Sequence, residues 1–373
     1  MKNLTSPDFS APYEVNISTP RPTQSDGSMV CIDPCSDPRW QRLVQQQPSS
    51  VFHSPEWRQV LTDTYGWTMH AYLMLDDSGE PIAGVPFCRV SDMLGTRIVT
   101  LPFSDFCDPL VASSDMWAIF SNKLVDEGYP VTLRCLHNDL PLSDGHLVLS
   151  KQARWHGLDL RLDEEQLWRR LKDNSKWVIK RAQREGITVR AAQTEEDLRS
   201  FFHLHRNIRK HKYHLLAQPY EFFANIWRQF LMPQHGVLLL AMYHEEVIGS
   251  VMFLEWKDTL YYKFSAASPA YLSLGTSELL IWEGIRHGKA KGLTALDFGL
   301  SDWDQEGLVR FKRKFATEEK AISFLRHTPP GTLSRQEQEM RSLLPQLTEL
   351  LTNASVPDQI TDRAGELLYR FFV

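Results

Sequence analysis

The run Phe311-Lys312-Arg313-Lys314-Phe315 sets three cations between two aromatic residues. Read as an extended segment, it puts Lys312 and Lys314 on one face and Arg313 on the other, with the phenylalanines as anchors. Fixed cations of this kind suit a phosphate, an RNA 3′ end, or the oxyanion of an acyl-transfer intermediate. Just upstream, Asp297-Phe298-Gly299-Leu300-Ser301-Asp302 ends an apolar run with a carboxylate on either side. A carboxylate there could take the proton of an attacking amine or orient that amine. The competing role for Asp297 and Asp302 is turn or cap chemistry.

Three further groups carry chemistry. His205 and Arg209 fall at i, i+4 on one helix face, and a histidine titrating near neutral pH can serve as a general base. Its alternative is a core histidine. Asp105 and Asp108 sit in an aromatic loop, Leu101–Leu110, and could line a cleft; Asp108-Pro109 is also a turn former. Lys176, Lys180 and Arg184 recur at i, i+4, i+8 and, with Arg181, form a basic stripe in an otherwise acidic chain, fit for an anionic ligand or simply for solvent. His211 and His214 lack a companion Cys or carboxylate, so no metal is expected. No Ser-His-Asp elbow or nucleophilic Cys context occurs, which disfavours covalent catalysis.

The elements that must position these groups are legible from periodicity. Val237–Tyr243, Val247–Glu255 and Leu260–Ser265 read as three strands of a meander. A loop, Ser265–Leu274, leads to a helix over Thr276–Lys291 that stops at Gly292. Leu293–Gly299 is a buried-type strand. The first half has the same order: a helix after Ser54-Pro55, strands over His70–Leu75, Pro81–Arg89 and Leu94–Leu101, a loop, a helix over Ser114–Glu127, and a strand over Tyr129–Leu136. Two copies of one α/β unit is the simplest account. Residues 1–50 read as a flexible arm and a short helix, 51–162 as the first domain, 163–328 as the second, and 329–373 as a helical packing segment. In that last segment, Ser334 with Glu337 reads as a capping box.

Bulk properties fit a soluble globular protein. The 373 residues are 42% hydrophobic and 23% charged, with 11 Trp and 19 Phe for a core. Net charge is −5, which excludes a general nucleic-acid binder. No apolar run reaches the roughly 18–20 residues of a membrane span. No basic-then-apolar leader is visible, and the five scattered cysteines read as free thiols, so a cytoplasmic location is expected.

Six motifs in order give the chain a resemblance. They are Phe52-His53-Ser54-Pro55-Glu56-Trp57; Leu101 to Leu110; Ile179 to Val189; Leu204-His205 before a basic run; Asp297 to Asp302; and Gly307 to Ala316. Together they resemble the FemAB-like branch of the GNAT acyltransferase superfamily, including CelD-type proteins, over about residues 51–326. The resemblance implies an α/β fold of two tandem GNAT-like domains with a cleft between them, and acyl or aminoacyl transfer to an amine of a small molecule, saccharide or cell-envelope precursor. It implies acyl-CoA as co-substrate, with its pyrophosphate on Leu274-Gly275-Thr276-Ser277. That stretch departs from the family's Gly-rich loop, since only Gly275 is present. Fem enzymes take their acyl group from charged tRNA and act on a peptidoglycan precursor, which is the alternative; the long helical arm of some of them is missing between Arg190 and Val237. A fold kept as a non-catalytic binding module is the third reading. Catalytic roles are expected of Asp302, His205 and Lys314. Substrate-binding roles are expected of Lys312, Arg313, Asp105, Asp108, Lys180, Arg181, Arg184 and Arg209.

Overall fold

The computed structural model describes residues 28–331 and 335–373. The expected N-terminal arm, as far as residue 27, and the capping box of Ser334 with Glu337 lie outside the described residues. The first half contains β1 (Ser28–Ile32), α1 (Pro38–Gln46), α2 (Pro55–Tyr65), β2 (Met69–Leu75), β3 (Pro81–Asp92), β4 (Gly95–Val99), α3 (Ser114–Asp126), β5 (Val131–Cys135) and β6 (Val148–Asp159). The second contains α4 (Glu164–Arg170), α5 (Asp173–Arg184), β7 (Thr188–Ala191), α6 (Glu195–His211), α7 (Tyr220–Ile226), β8 (Gly236–Tyr243), β9 (Glu246–Trp256), β10 (Thr259–Ala267), α8 (Thr276–Ala290), β11 (Ala295–Ser301), α9 (Glu306–Lys312) and β12 (Glu318–His327). Two helices close the chain, α10 (Arg335–Leu351) and α11 (Asp358–Leu368).

Local chemistry explains where the helices begin. Ser54 Oγ accepts the Trp57 N–H at 3.1 Å and Pro55 takes the first helical position of α2, which ends at left-handed Gly66. Asp163 with Gln166 starts α4, and Thr194 with Asp197 starts α6, each as a capping box.

All the strands join one sheet in the order β1-β2-β3-β4-β5-β12-β6-β11-β10-β9-β8-β7. The sheet crosses the expected boundary at residue 162 without a break. The reason is an exchange: β12, late in the chain, pairs antiparallel with β5 of the first half and with β6, while β6 pairs with β11 of the second half. Side chains cross as well, since one core contains Phe52, Trp57 and Phe106 beside Phe222, Phe223, Met252 and Tyr261.

Each half repeats a detail that decides the site. A meander strand pairs in parallel with the strand after the helix for only a short distance. In the first half the pairs are Ile98 with Val131 and Val99 with Thr132. In the second they are Thr259, Leu260 and Tyr261 with Ala295, Leu296 and Asp297. Beyond these pairs the strands part.

Two expectations need correcting. The segment with Lys312 is a helix: Val309, Lys312 and Phe315 are buried at three-residue spacing, and Arg310 points outward. Lys312 and Lys314 therefore face different surroundings. The C-terminal helices pack less of their apolar surface than expected, for Leu344 and Ala364 are buried while Leu343, Leu350, Ile360 and Leu367 are exposed.

Candidate active site

The two strand partings are filled differently. In the first half the Leu101–Leu110 loop enters the gap. The Cys107 N–H donates to the Arg134 carbonyl at 2.9 Å, and the Leu110 N–H to the Gly84 carbonyl at 2.9 Å. Asp108 Oδ1 accepts from the backbone N–H groups of Leu136 (2.8 Å), His137 (3.1 Å) and Asn138 (3.1 Å). Burial pushes the Asp108 carboxyl up to about 6, and its contacts are with the backbone that fills the gap. In the second half the Asp105 side chain of that same loop reaches the parting of β10 from β11, where a Cβ at Gly299 would meet its Oδ2 at 2.4 Å. A cavity of about 610 Å³ lies against β10, bounded by Tyr262, Ser265 and Ala266 of β10, Ser277, Glu278 and Ile281 of α8, and Asp304, Leu308 and Phe311 around α9. That volume is in the range of a small-molecule site.

Four ionisable groups converge at the parting of β10 and β11. The register of β10 against β9 shifts between Tyr262 and Phe264, and Lys263 occupies the shift. Its Nζ is 3.0 Å from Asp105 Oδ1, so the filling loop of the first half ends in a charge contact with the second. The same ammonium lies 4.6 Å from the Phe52 ring centroid and 5.1 Å from that of Trp57. Lys312 is 2% exposed, and its Nζ donates to the carbonyls of Gly299 (3.1 Å) and Leu300 (2.8 Å). Asp297 is 4% exposed and accepts the Gly299 N–H at 2.6 Å.

Electrostatics pull these groups apart. Burial pushes the Asp297 carboxyl up to about 7. Burial also lowers Lys312 to about 8, against the attraction of Asp105 and Asp297. For Asp105, burial works against ionisation, yet the Lys263 ammonium, its hydrogen bond and Lys312 together hold the carboxyl below its ordinary value. Perturbed neighbours of both signs beside a cavity mark a candidate site.

The remaining expected residues are placed as follows. Asp302 pairs with Lys151 at 2.6 Å, at the end of β11 and two residues before cavity-lining Asp304. Lys314 Nζ donates to Glu278 Oε1 at 2.7 Å, and Arg313 pairs with Glu319 at 2.7 Å. His205 is buried among Phe201, Phe223 and Phe264, with its Nε2 3.0 Å from Gln218 Oε1. Burial lowers it to about 3, which leaves a weak base at neutral pH. Arg209 donates to the Leu216 carbonyl at 2.8 and 3.0 Å. Lys180 and Arg184 are exposed on the outer face of α5, and Arg181 lies over the Trp177 ring at 5.4 Å. In the expected pyrophosphate stretch, Leu274 precedes left-handed Gly275, Thr276 is buried, and Ser277 lines the cavity. A side chain at 275 would meet Val178 Cγ1 at 2.4 Å, so this position holds α5 close to the helix start. Glu278, in the first turn, brings a negative charge to this end of α8.

Lys263 and Glu278 are site residues that the sequence motifs did not single out. The signal for Lys263 was a lone cation in the aromatic strand Leu260-Tyr261-Tyr262-Lys263-Phe264. Among the described residues no helix is long and apolar enough to cross a membrane, and no cluster of His, Cys, Asp or Glu could hold a metal ion.

The family model of the acetyltransferase (GNAT) domain matches residues 169–313, so that part of the chain is similar to a GNAT domain. The whole-chain likeness is to the crystal structure of FemX, at 12% identity and a TM-score of 0.63, covering 86% of this chain and 100% of that one. It extends to L-PGS from Bacillus licheniformis, at 15% identity and a TM-score of 0.53, covering 84% of this chain and 97% of that one. No curated protein matches in sequence.

Proposed function

We propose that the protein is an N-acyltransferase that takes an acyl group from acyl-CoA and passes it to an amine of a small molecule, saccharide or cell-envelope precursor. One observation carries this reading: a cavity of about 610 Å³ lies against β10 and the start of α8, lined by Phe311, whose neighbour Lys312 belongs to a buried cluster of charged groups. The acyl end of the donor lies in this cavity, against β10. The acceptor amine attacks the carbonyl carbon, the carbonyl electron pair moves to oxygen, and the amine gives up its proton as the thiolate leaves. Lys312, adjacent to cavity-lining Phe311 and held by two carbonyls, supplies fixed positive charge for the oxyanion. Asp302 is the candidate to receive the proton, and Lys151 holds its carboxylate. Positioning supplies most of the remaining acceleration.

A second reading has its own support. The Gly-rich loop is absent and Glu278 occupies the first turn of α8, which disfavours a pyrophosphate there. Donation from a charged tRNA, with a peptidoglycan precursor as acceptor, needs no such loop. Thermal-shift titration with acetyl-CoA and longer acyl-CoAs separates the two. Stabilisation by an acyl-CoA that Ala266→Phe abolishes supports the first. Charged-tRNA binding that weakens with salt, with no response to any acyl-CoA, overturns it.

A further inference from the structure

The basic stripe of α5 takes no part in the transfer chemistry. Residues 169–184 carry seven Lys or Arg and one acid, in a chain of net charge −5. Three of these cations are paired: Arg169 with Glu165, Lys176 with Asp173 and Arg181 with Glu185. Lys180 and Arg184 are exposed and have no carboxylate partner among the described residues. At i, i+4 they share one side of the helix, opposite the buried Ser175, Ile179 and Ala182. Trp177 stands in line with them, 52% exposed, and all three border one surface hollow.

Charges alone would leave this face to solvent. An exposed indole among unpaired cations is instead the composition of a helix at a membrane surface, with its amphipathic ring at headgroup depth. A second exposed apolar residue lies beside it. Val178 packs against Gly275, where a Cβ would meet Val178 Cγ1 at 2.4 Å. The turn Pro269–Leu274, which ends at Gly275, carries Leu272, 53% exposed. Leu272 also lines the large cavity, so the face adjoins the cavity's mouth. A nucleic acid fits less well. Arg181 already stands over the Trp177 ring at 5.4 Å, which takes one stacking face from a base, and Leu272 offers a base no stacking surface.

We propose that the outer face of α5, with Leu272 beside it, docks on an anionic lipid surface. Lys180 and Arg184 meet the headgroup phosphates, and Trp177 and Leu272 enter the headgroup layer. The attraction acts within a Debye length of the surface. The rest of the chain carries the excess of acids and is repelled, so the protein settles with this face towards the lipid. Docking sets the mouth of the large cavity beside the headgroups. It does not depend on the acyltransferase reading or on which donor the cavity takes.

The test uses the full chain. Sedimentation with vesicles compares phosphatidylcholine alone with an equal mixture of phosphatidylcholine and phosphatidylglycerol, and tryptophan emission is recorded on both. The variants are Lys180→Ser/Arg184→Ser, Trp177→Phe, and Arg363→Ser, whose arginine pairs with Glu366 on α11. Thermal midpoints confirm that each variant folds. The wild type sediments with the mixed vesicles, more weakly as salt rises, and not with phosphatidylcholine. The double variant binds the mixed vesicles about 25-fold more weakly, at about fivefold for each cation lost. Arg363→Ser behaves as wild type. The emission of the wild type shifts to the blue on the mixed vesicles, and Trp177→Phe keeps most of the binding without that shift. No sedimentation of the wild type with the mixed vesicles at low salt overturns the proposal. Equal binding by the double variant and the wild type overturns it too, as does an undiminished blue shift in Trp177→Phe. Uncharged tRNA is titrated in parallel by gel shift. If the double variant loses tRNA binding while its vesicle binding is unchanged, the face belongs to a nucleic acid and lipid docking is refuted.

Discussion

Asp105 Oδ1 and Lys263 Nζ lie 3.0 Å apart, one from the loop that fills the first strand parting and the other from the register shift beside the second. The Lys263 side chain is 5% exposed, and its ammonium meets this carboxylate and the aromatic rings around it. Asp105→Ala leaves a buried ammonium without a counter-charge, and destabilises the fold by about 3–5 kcal/mol. Urea unfolding should show the midpoint fall with an unchanged slope. Replacing both residues with apolar side chains of similar volume recovers most of that loss; a double variant as unstable as Asp105→Ala would refute the account.

Stability should respond to pH through Asp297. Its carboxyl is raised to about 7 by burial, whereas an unfolded-chain aspartate titrates near about 4. Between these values the folded protein holds a proton that the unfolded chain has lost. The contribution of this group therefore declines as pH rises through the window, by about 1.4 kcal/mol per pH unit, and is level above pH 7. Asp297→Asn abolishes the decline. Subtracting its unfolding profile from that of the wild type, between pH 4 and 8, isolates the effect.

Buried histidines act in the opposite direction. Burial lowers His53 to about 4 and His205 to about 3. The unfolded chain protonates its histidines near about 6.5, so stability is lost as pH falls below that value, by up to about 1.4 kcal/mol per pH unit for each. His205→Asn should flatten the acid side of the stability curve. It should leave the pH dependence of turnover unchanged; loss of an activity limb in this variant would restore His205 as the general base.

Gly299 joins three parts of the site. Its N–H reaches Asp297, its carbonyl accepts from Lys312, and its φ of +66° is left-handed. A methyl group there would meet Asp105 Oδ2 at 2.4 Å. Gly299→Ala should cost roughly 2 kcal/mol or more, combining backbone strain with displacement of Asp105. Gly292→Ala, also left-handed but with nothing within 4 Å of the new methyl, should cost only the backbone part, about 1 kcal/mol. Equal losses in the two variants would remove Asp105 from the explanation.

Sequence periodicity by itself determined most of the elements. The three-strand meanders, the helix over Thr276–Ala290 and the repeated order of the two halves follow from apolar spacing and from Gly, Pro and Ser at element ends, which are local signals. The motifs also brought Asp105, Asp297, Asp302 and Lys312 forward as candidates. Only the tertiary structure decided how they are used. The single sheet depends on β12 crossing to β5, a pairing between residues far apart in the chain. The helix that aims Lys312 at Gly299 and Leu300 wins over an extended segment because it buries Val309, Lys312 and Phe315 together. His205 reads as a base until its aromatic surroundings are known, since burial and not residue type sets its protonation. The Leu101–Leu110 loop fills one strand parting and sends Asp105 to the other, and spacing along a chain carries no record of which gap a loop will enter.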